Sequence, residues 1–587
     1  MGGNLFFASA GAVLDAVGAS LDGDLIAAWR GRTLRAAAHL NWGKRPTVVR
    51  RHPGGTSLAI GAPYDQLFLA TEVNEWALCA SLIERDPVHW SGLEAALMAQ
   101  ALLTAAEGTA NPGAQIPPVI EESAAFARFE RLSAMESNPQ LTALLDAAAA
   151  RRLPHVVDES ELTLGAGEGG RSFALSALPD AADVPWKELR DIPTAIVTGS
   201  NGKTTTVRLL AACARRHGWH AGYNCTDGVF LDDEALAQGD YSGPAGARRV
   251  MRERRTQAAI LETARGGILR RGIAVSRANT AVVTNVSSDH FGEYGIHDLA
   301  GLAEVKLAVA GLLDPGGLLV LNADDSELRA QAAGLASRFG RSPPLGWFSL
   351  NPDPQTLRSH GLSDEASCCA RAGRLQLRYG GVDHDLGPIL AMPLSMGGIA
   401  GYNIANMAGA ALAAAALGIA PATIAAVLAR FGSDLTDNPG RLMRFEVGGV
   451  KVLIDYAHNA DGLRGFLTVA EHLRGTGRLG MLLGQAGNRK DADIEELARV
   501  AAEFHPDLVV VKEDEAHLRG RAPAEVPRII RAELKRLGFP ESALPVVNSE
   551  LDAARHALDW ARPGDVLALP VHASSARAAV VAMLQSR

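Results

Sequence analysis

Seven residues constrain this chain more than any others: Gly199-Ser-Asn-Gly-Lys203-Thr204-Thr205. They follow the short apolar run Ala195-Ile-Val and precede a helical pattern from Thr205 to His217. That order reads as strand, glycine-rich turn, helix. Backbone N–H groups converge in such a turn, and the helix N-terminus adds a favourable dipole, so the pair suits phosphate oxygens. Lys203 would reach the outer phosphates and Thr204 would place its hydroxyl on Mg²⁺, with Gly199, Ser200, Asn201, Gly202 and Thr205 completing the cradle. The general G-x-x-x-x-G-K pattern needs Gly at 197, where the chain has Val197. Only the narrower form G-[ST]-N-G-K-[ST]-T fits.

The rest of the chain must supply walls for that loop. At 587 residues it is too long for one core, and three or four domains are expected. Hydrophobic residues at 47% and charged residues at 21% exclude wholesale disorder. A net charge of -8 argues against a nucleic-acid partner. The Ala-rich stretches are broken by charges, Gly and Pro before they reach membrane-spanning length, so no membrane partner is expected. No Lys or Arg precedes Arg30, which leaves out the basic start of a signal peptide. Cysteines stand at 79, 213, 225, 368 and 369, without metal-ligand spacing and with one adjacent pair. They read as reduced thiols of a cytoplasmic protein.

Texture divides the chain into three. Residues 1–190 are Ala-rich and carry no chemical motif. A helix is expected from Gly92 to Ala106 and another from Asn138 to Ala150, ending before Leu153-Pro154; Gln66 to Ala70 reads as a short strand. Residues 191–435 alternate apolar runs (Ala258–Leu261, Thr280–Thr284, Leu318–Leu321) with helical patterns such as Leu299–Leu312. Such alternation implies a parallel sheet with helices on both faces. Residues 436–587 repeat the texture on a smaller scale, with runs at Val452–Ile454, Leu479–Leu483, Leu508–Val511 and Val566–Leu569. The expected fold class is therefore α/β: a central P-loop ATPase domain, a C-terminal Rossmann-like domain, and an N-terminal domain of uncertain fold.

Further motifs follow the loop in order. Glu262 ends the run Ala-Ala-Ile-Leu; Asn285-Val-Ser-Ser-Asp289-His290 follows another run; Lys306 lies on the next helical stretch. Asn438-Pro-Gly-Arg441 and Asp455-Tyr-Ala-His458-Asn459 open the third region. Taken singly, each has an ordinary reading. A Glu at a strand end and a helical Lys are usually solvated, a lone His is usually a satisfied loop residue, and Arg441 with Asp455 would be a surface ion pair. Taken together, with the narrow loop form, they resemble the Mur ligase family. Glu262-Thr-Ala-Arg-Gly-Gly-Ile-Leu-Arg-Arg-Gly272 and Tyr402-Asn403-Ile-Ala-Asn406 are similar to the family's cyanophycin synthetase branch rather than its cell-wall ligases. So are Gly484-Gln-Ala-Gly-Asn-Arg489-Lys-Asp491 and the stretch through Arg519-Gly-Arg521. The resemblance runs from about Ile192 to the C-terminus.

The resemblance implies a Mur ligase-like fold and an ATP- and Mg²⁺-dependent, ADP-forming ligase that joins a small-molecule or peptide carboxylate to an amine. It implies Mg²⁺ on Thr204 and Glu262, a second metal at His290, and a carbamate on Lys306. It places Asn403 near the adenine, Arg441 at the γ-phosphate, Asp455 at the ribose and His458 among the nucleotide contacts. Lys203, His290, Lys306 and Arg441 are the residues expected to bear on catalysis. The site should lie between the second and third regions, with the acceptor approaching from the N-terminal side. Fewer than about 200 residues precede the loop, too few for an N-terminal domain and a full ATP-grasp domain together, so a single-step ligase is the expectation. Two alternatives stay open: a ligase for a cell-wall precursor, and a non-catalytic nucleotide-binding subunit. A homo-oligomer is also open.

Overall fold

The structure is a computed structural model and describes residues 3–7, 10–18, 20–93, 95–97, 120–288, 291–351, 366–513 and 518–587. In the N-terminal region β1 (Gly11–Val17), β2 (Thr47–His52) and β3 (Gly55–Gly61) form an antiparallel sheet in the order β1-β3-β2. Helices Gly23–His39, Leu67–Arg85 and Glu122–Glu136 accompany it, and Trp29, Trp76 and Phe129 are fully buried there. The stretch Gln66–Ala70 corrects the sequence reading. It is the cap and first turn of helix Leu67–Arg85, not a strand. The apolar positions continue as Leu69, Ala70, Val73, Trp76, Ala77 and Ala80, all buried at helical spacing, and a five-residue window is too short to reveal that period. Of the helix expected from Gly92, residues 92–93 and 95–97 are helical, while 94 and 98–106 lie outside the described residues.

The helix Pro139–Ala150 forms as expected, with Asn138 capping the N–H of Leu141. It packs on a second antiparallel sheet, β4 (His155–Val157), β5 (Glu161–Leu164) and β6 (Arg171–Ala174). Among the described residues, those of 1–190 therefore build two apolar clusters of their own, while Leu5, Val156 and Ala166 join a core of the central region.

The central sheet has eleven strands in the order β10-β9-β8-β11-β7-β12-β13-β14-β15-β16-β17. They are β7 (Thr194–Thr198), β8 (Ala221–Cys225), β9 (Gly228–Leu231), β10 (Glu234–Gln238), β11 (Ala258–Glu262), β12 (Ala278–Val283), β13 (Leu313–Asn322), β14 (Leu345–Ser349), β15 (Ala366–Arg371), β16 (Arg374–Tyr379) and β17 (Val382–Pro388). The run from β8 to β15 is parallel, and both margins are antiparallel. Helices cover both faces. Lys203–His217 and Gly401–Ala416 share one core, and Pro244–Arg252, Arg265–Arg271 and Leu299–Lys306 belong to the other. The expected helix Leu299–Leu312 is α-helical to Lys306 and tightens into a 3₁₀ turn at Leu307–Leu312. Cys368 and Cys369 are buried, and none of the five cysteines is in a disulfide.

The C-terminal sheet runs β18-β19-β23-β20-β21-β22, parallel except for the β18–β19 hairpin. Its strands are β18 (Met443–Val447), β19 (Val450–Asp455), β20 (Leu479–Leu483), β21 (Leu508–Lys512), β22 (Val546–Val547) and β23 (Val566–Pro570). The buried runs seen in the sequence are its strands, as parallel strands covered on both faces require. Among the described residues no helix is long and apolar enough to cross a membrane.

Candidate active site

Three adjacent strands, β11, β7 and β12, end at the same level. Glu262 pairs with Val197, and Val283 pairs with Thr198. The segments that leave these strands therefore emerge side by side at their carboxyl ends, where ligands bind in open α/β sheets. From β7 comes the glycine-rich loop, from β11 comes Glu262, and from β12 comes the segment Thr284–Ser287.

That last segment shapes the loop. The Ser200 N–H donates to the Asn285 carbonyl at 3.0 Å, and the Asn201 N–H donates to Asn285 Oδ1 at 2.9 Å. Thr284 Oγ1 donates to the Asn201 carbonyl at 2.6 Å, and the Ser287 N–H donates to Ser200 Oγ at 3.0 Å. Gly199 has φ +149° and its added Cβ would fall 1.8 Å from Thr284 Oγ1. Gly202 has φ +83° and a Cβ there would fall 2.1 Å from Asn406 Oδ1. Both glycines thus answer a left-handed backbone and a close approach.

Helix Lys203–His217 begins at Gly202. Lys203 Nζ arches back over the loop and donates to the carbonyls of Gly199 and Ser200, each at 3.0 Å. Thr204 Oγ1 donates to Glu262 Oε2 at 2.9 Å, and Thr226 Oγ1 donates to the other carboxylate oxygen at 3.2 Å. Glu262 is fully buried. Burial pushes its carboxyl up, against the opposing pull of the Lys203 charge and the Thr204 hydrogen bond. A hydroxyl and a carboxylate held together beside the loop are an all-oxygen donor set that suits Mg²⁺.

The C-terminal unit closes the cleft. Arg441 lies with Nη2 3.4 Å from Thr204 Oγ1 and its guanidinium 4.5 Å over the Tyr456 ring. Asn459 Nδ2 donates to Asn201 Oδ1 at 2.9 Å. Asp455 is buried and accepts from the N–H groups of Leu442 at 2.7 Å and Ala457 at 2.8 Å. Burial raises its carboxyl, with the Ala457 N–H and Arg441 opposing. Neither Arg441 nor Asp455 is half of a surface ion pair.

One pocket gathers Ser200, Asn201, Gly202, Lys203, Thr204, Thr205, Glu262, Asn403, Arg441, Asp455 and His458. Tyr402 also lines it, with a buried hydroxyl that finds no hydrogen-bond partner among the described residues. A second pocket shares Lys203, Thr226, Glu262, Tyr456 and His458 with the first and adds Gly199, Arg265, Lys306 and Arg489. Lys306, buried at the end of its helix, lines this second pocket. Asp289 and His290 lie outside the described residues, so the expected second-metal position is not described. The described residues that line the two pockets all follow residue 198. The N-terminal region reaches the neighbourhood through Arg50, which donates to the Gly295 carbonyl at 2.7 Å and to Glu304 at 3.2 Å, and through His52, whose ring stacks on that of His297 at 5.6 Å.

Sequence reasoning passed over Thr226, Asp227, Arg208 and Arg577. Thr226 and Asp227 follow β8, whose Ala-Gly-Tyr-Asn-Cys sequence is not an apolar run; the turn signal Asp227-Gly228 was the available clue. Arg577 sits in a C-terminal helix that carries no motif.

Known proteins resemble this chain over the same two regions. Residues 197–347 match the family model of the Mur ligase middle domain, and residues 440–569 match that of the Mur ligase glutamate ligase domain. A cyanophycin synthetase from Synechocystis sp. is 35% identical over 386 residues, which is 66% of this chain and 43% of that protein. The UDP-N-acetylmuramoyl-L-alanyl-D-glutamate--2,6-diaminopimelate ligase of Alkalilimnicola ehrlichii is 33% identical over 380 residues, 63% of this chain and 69% of that protein. A Mycobacterium tuberculosis folylpolyglutamate synthase solved with ADP and AMPPCP shares 15% sequence identity and a TM-score of 0.46 over 68% of this chain and 91% of its own. The chain spans less than half the length of the cyanophycin synthetases it matches.

The Gly199 contact gives a direct test of the loop. Gly199→Ala must displace Thr284 and with it the bond to the Asn201 carbonyl. The variant should bind a non-hydrolysable ATP analogue at least about tenfold more weakly, roughly 1.4 kcal/mol, in calorimetric titration. Parent-like affinity would remove the loop from nucleotide binding.

Proposed function

The chain belongs to the Mur ligase family, and we propose that it is an ATP-dependent, ADP-forming amide ligase. The observation that carries this reading is the convergence of Lys203, Thr204, Glu262 and Arg441 on one cleft between two units. The substrates are a carboxylate of an amino acid or short peptide and an amine.

In the proposed reaction the γ-phosphoryl group passes from ATP to a carboxylate oxygen, and ADP leaves. The amine nitrogen then attacks the acyl carbon. The tetrahedral adduct expels inorganic phosphate, and the nitrogen gives up a proton. Two anions must meet in the first step, so cations have to offset their repulsion. Lys203 and Arg441 would do so from opposite sides of the cleft. Mg²⁺, when bound, would be held by Thr204 and Glu262 and would supply further positive charge at the phosphates. Asn403 would face the adenine, Asp455 the ribose, and His458 would belong to the same wall. The sharing of Lys203 and Glu262 between the two pockets supports a path on which the nucleotide occupies one and the acceptor the other. A C-terminal unit closed over the cleft would keep water from the acyl phosphate.

The first assay is ADP release with acceptors and amines added together, beginning with Asp-containing dipeptides, and with products identified by mass. Release should require both substrates. Lys203→Ala should lower kcat by roughly a hundredfold or more, because it removes charge stabilisation from the transferring group. Turnover close to the parent's would take Lys203 out of the mechanism, and a failure of every pair would favour a nucleotide-binding subunit.

Lys306 would act as a carbamate. A carbamate places negative charge where a metal site can use it, and the buried position at the edge of the acceptor pocket supports that role. Lys306→Ala should lose roughly 10- to 100-fold in kcat and regain part of it with added acetate or propionate. A Lys306→Ala enzyme with full activity, or a dead one that no small carboxylate restores, would contradict the carbamate.

A further inference from the structure

The turn between β8 and β9 carries a carboxylate that the chemistry above does not use. Asp227 leaves 14% of its side chain exposed and is bonded by two guanidinium groups from two different units. Arg208, on the helix that starts at the phosphate loop, donates Nη2 to Asp227 Oδ2 at 2.7 Å. Arg577, on the last helix of the chain, donates Nη2 to Oδ1.

The same contacts continue into the linker that enters the C-terminal unit. Arg208 Nη1 donates to the Pro439 carbonyl at 2.9 Å and to Asn438 Oδ1 at 3.2 Å. Asn438 Nδ2 donates to Thr205 Oγ1 at 3.2 Å. Gly440 lies against the Arg577 side chain, where an added Cβ would stand 2.6 Å from Cδ and Nε. Arg441 comes next. Burial works against its charge, and Asp227 is the foremost of the carboxylates that outweigh this. Conversely, burial pushes the Asp227 carboxyl up, and Arg441, Arg208 and Arg577 together hold it below its ordinary value. Three guanidinium groups drawn together out of water repel one another and need a shared counter-charge.

We propose that Asp227 is a positioning residue: by holding Arg577 against Arg208 it fixes the C-terminal unit at the angle that brings Arg441 over Thr204. The importance of Arg441 rests on the ligase reading; the latch itself does not. Removing the charge should leave the phosphate loop formed and the two units loosely set.

The test is a double-mutant cycle read first as a distance, which needs no turnover, and then as kcat. Cysteines introduced at exposed Ala330 and His556, in a Cys79→Ser background, carry spin labels on the two units, and double electron–electron resonance gives the distance between them. The parent should show one narrow distribution. Asp227→Asn, which keeps the side-chain size, and Arg577→Met should each broaden it, and the double variant should broaden it no further. In turnover, both single variants should lose at least about tenfold in kcat while binding an ATP analogue within about threefold of the parent. A parent-like distribution in Asp227→Asn, or broadening that adds in the double variant, overturns the proposal. If the parent shows no ligase activity, the ligase reading fails and the distances alone decide the latch.

Discussion

The level ending of β11, β7 and β12 is the constraint on which the site depends. Parallel strands in register deliver their outgoing segments to one edge, and here those segments are the glycine-rich loop, Glu262 and Thr284–Ser287. Shifting one strand by a residue would separate Thr204 from Glu262, which are 2.9 Å apart. It would also turn every side chain of that strand to the opposite face. The fully buried Ala195, Ile196 and Val197 on β7, and Ala259, Ile260 and Leu261 on β11, hold that register from both faces of the sheet.

Around this edge the chain accepts costs that a core built for stability alone would avoid. Glu262 and Lys306 are buried, and Asp227 nearly so. Each buried charge costs several kcal/mol of desolvation unless it is paired and hydrogen-bonded. The structure compensates locally: Thr204 and Thr226 on Glu262, two arginines on Asp227, two backbone N–H groups on Asp455. Groups gathered at such cost in a cleft between two units are characteristic of functional sites. The second unit then matters as much as the loop, because Arg441, Asp455 and His458 all come from it.

Much of this was legible in the sequence, and the reasons are physical. Buried parallel strands read as unbroken apolar runs, so β7, β11, β12 and the C-terminal strands could be found. The residues of the loop, Glu262, Lys306 and Arg441 stand at element ends and carry types that charge chemistry needs. Strands of mixed composition were missed: β8 holds Asn224, and β16 alternates Arg374, Gln376 and Arg378 with buried leucines at the antiparallel margin. Gln66–Ala70 misled because five residues cannot separate a strand from a first helical turn. Asp227 and Arg577 lie 350 residues apart, and no local pattern signals such a pair. The expected metal position at His290 falls outside the described residues.

The proposed reaction begins when a carboxylate oxygen becomes bonded to the γ-phosphorus of ATP. Oxygen tracing tests it most directly. An acceptor found by the substrate screen is labelled with ¹⁸O in its reacting carboxylate and turned over with unlabelled ATP and amine. One ¹⁸O atom is expected in each inorganic phosphate released, because the acyl phosphate breaks between carbon and that oxygen. Inorganic phosphate free of label, with the amide still formed, would contradict an acyl phosphate; label recovered in AMP would show that the carboxylate attacks a different phosphorus.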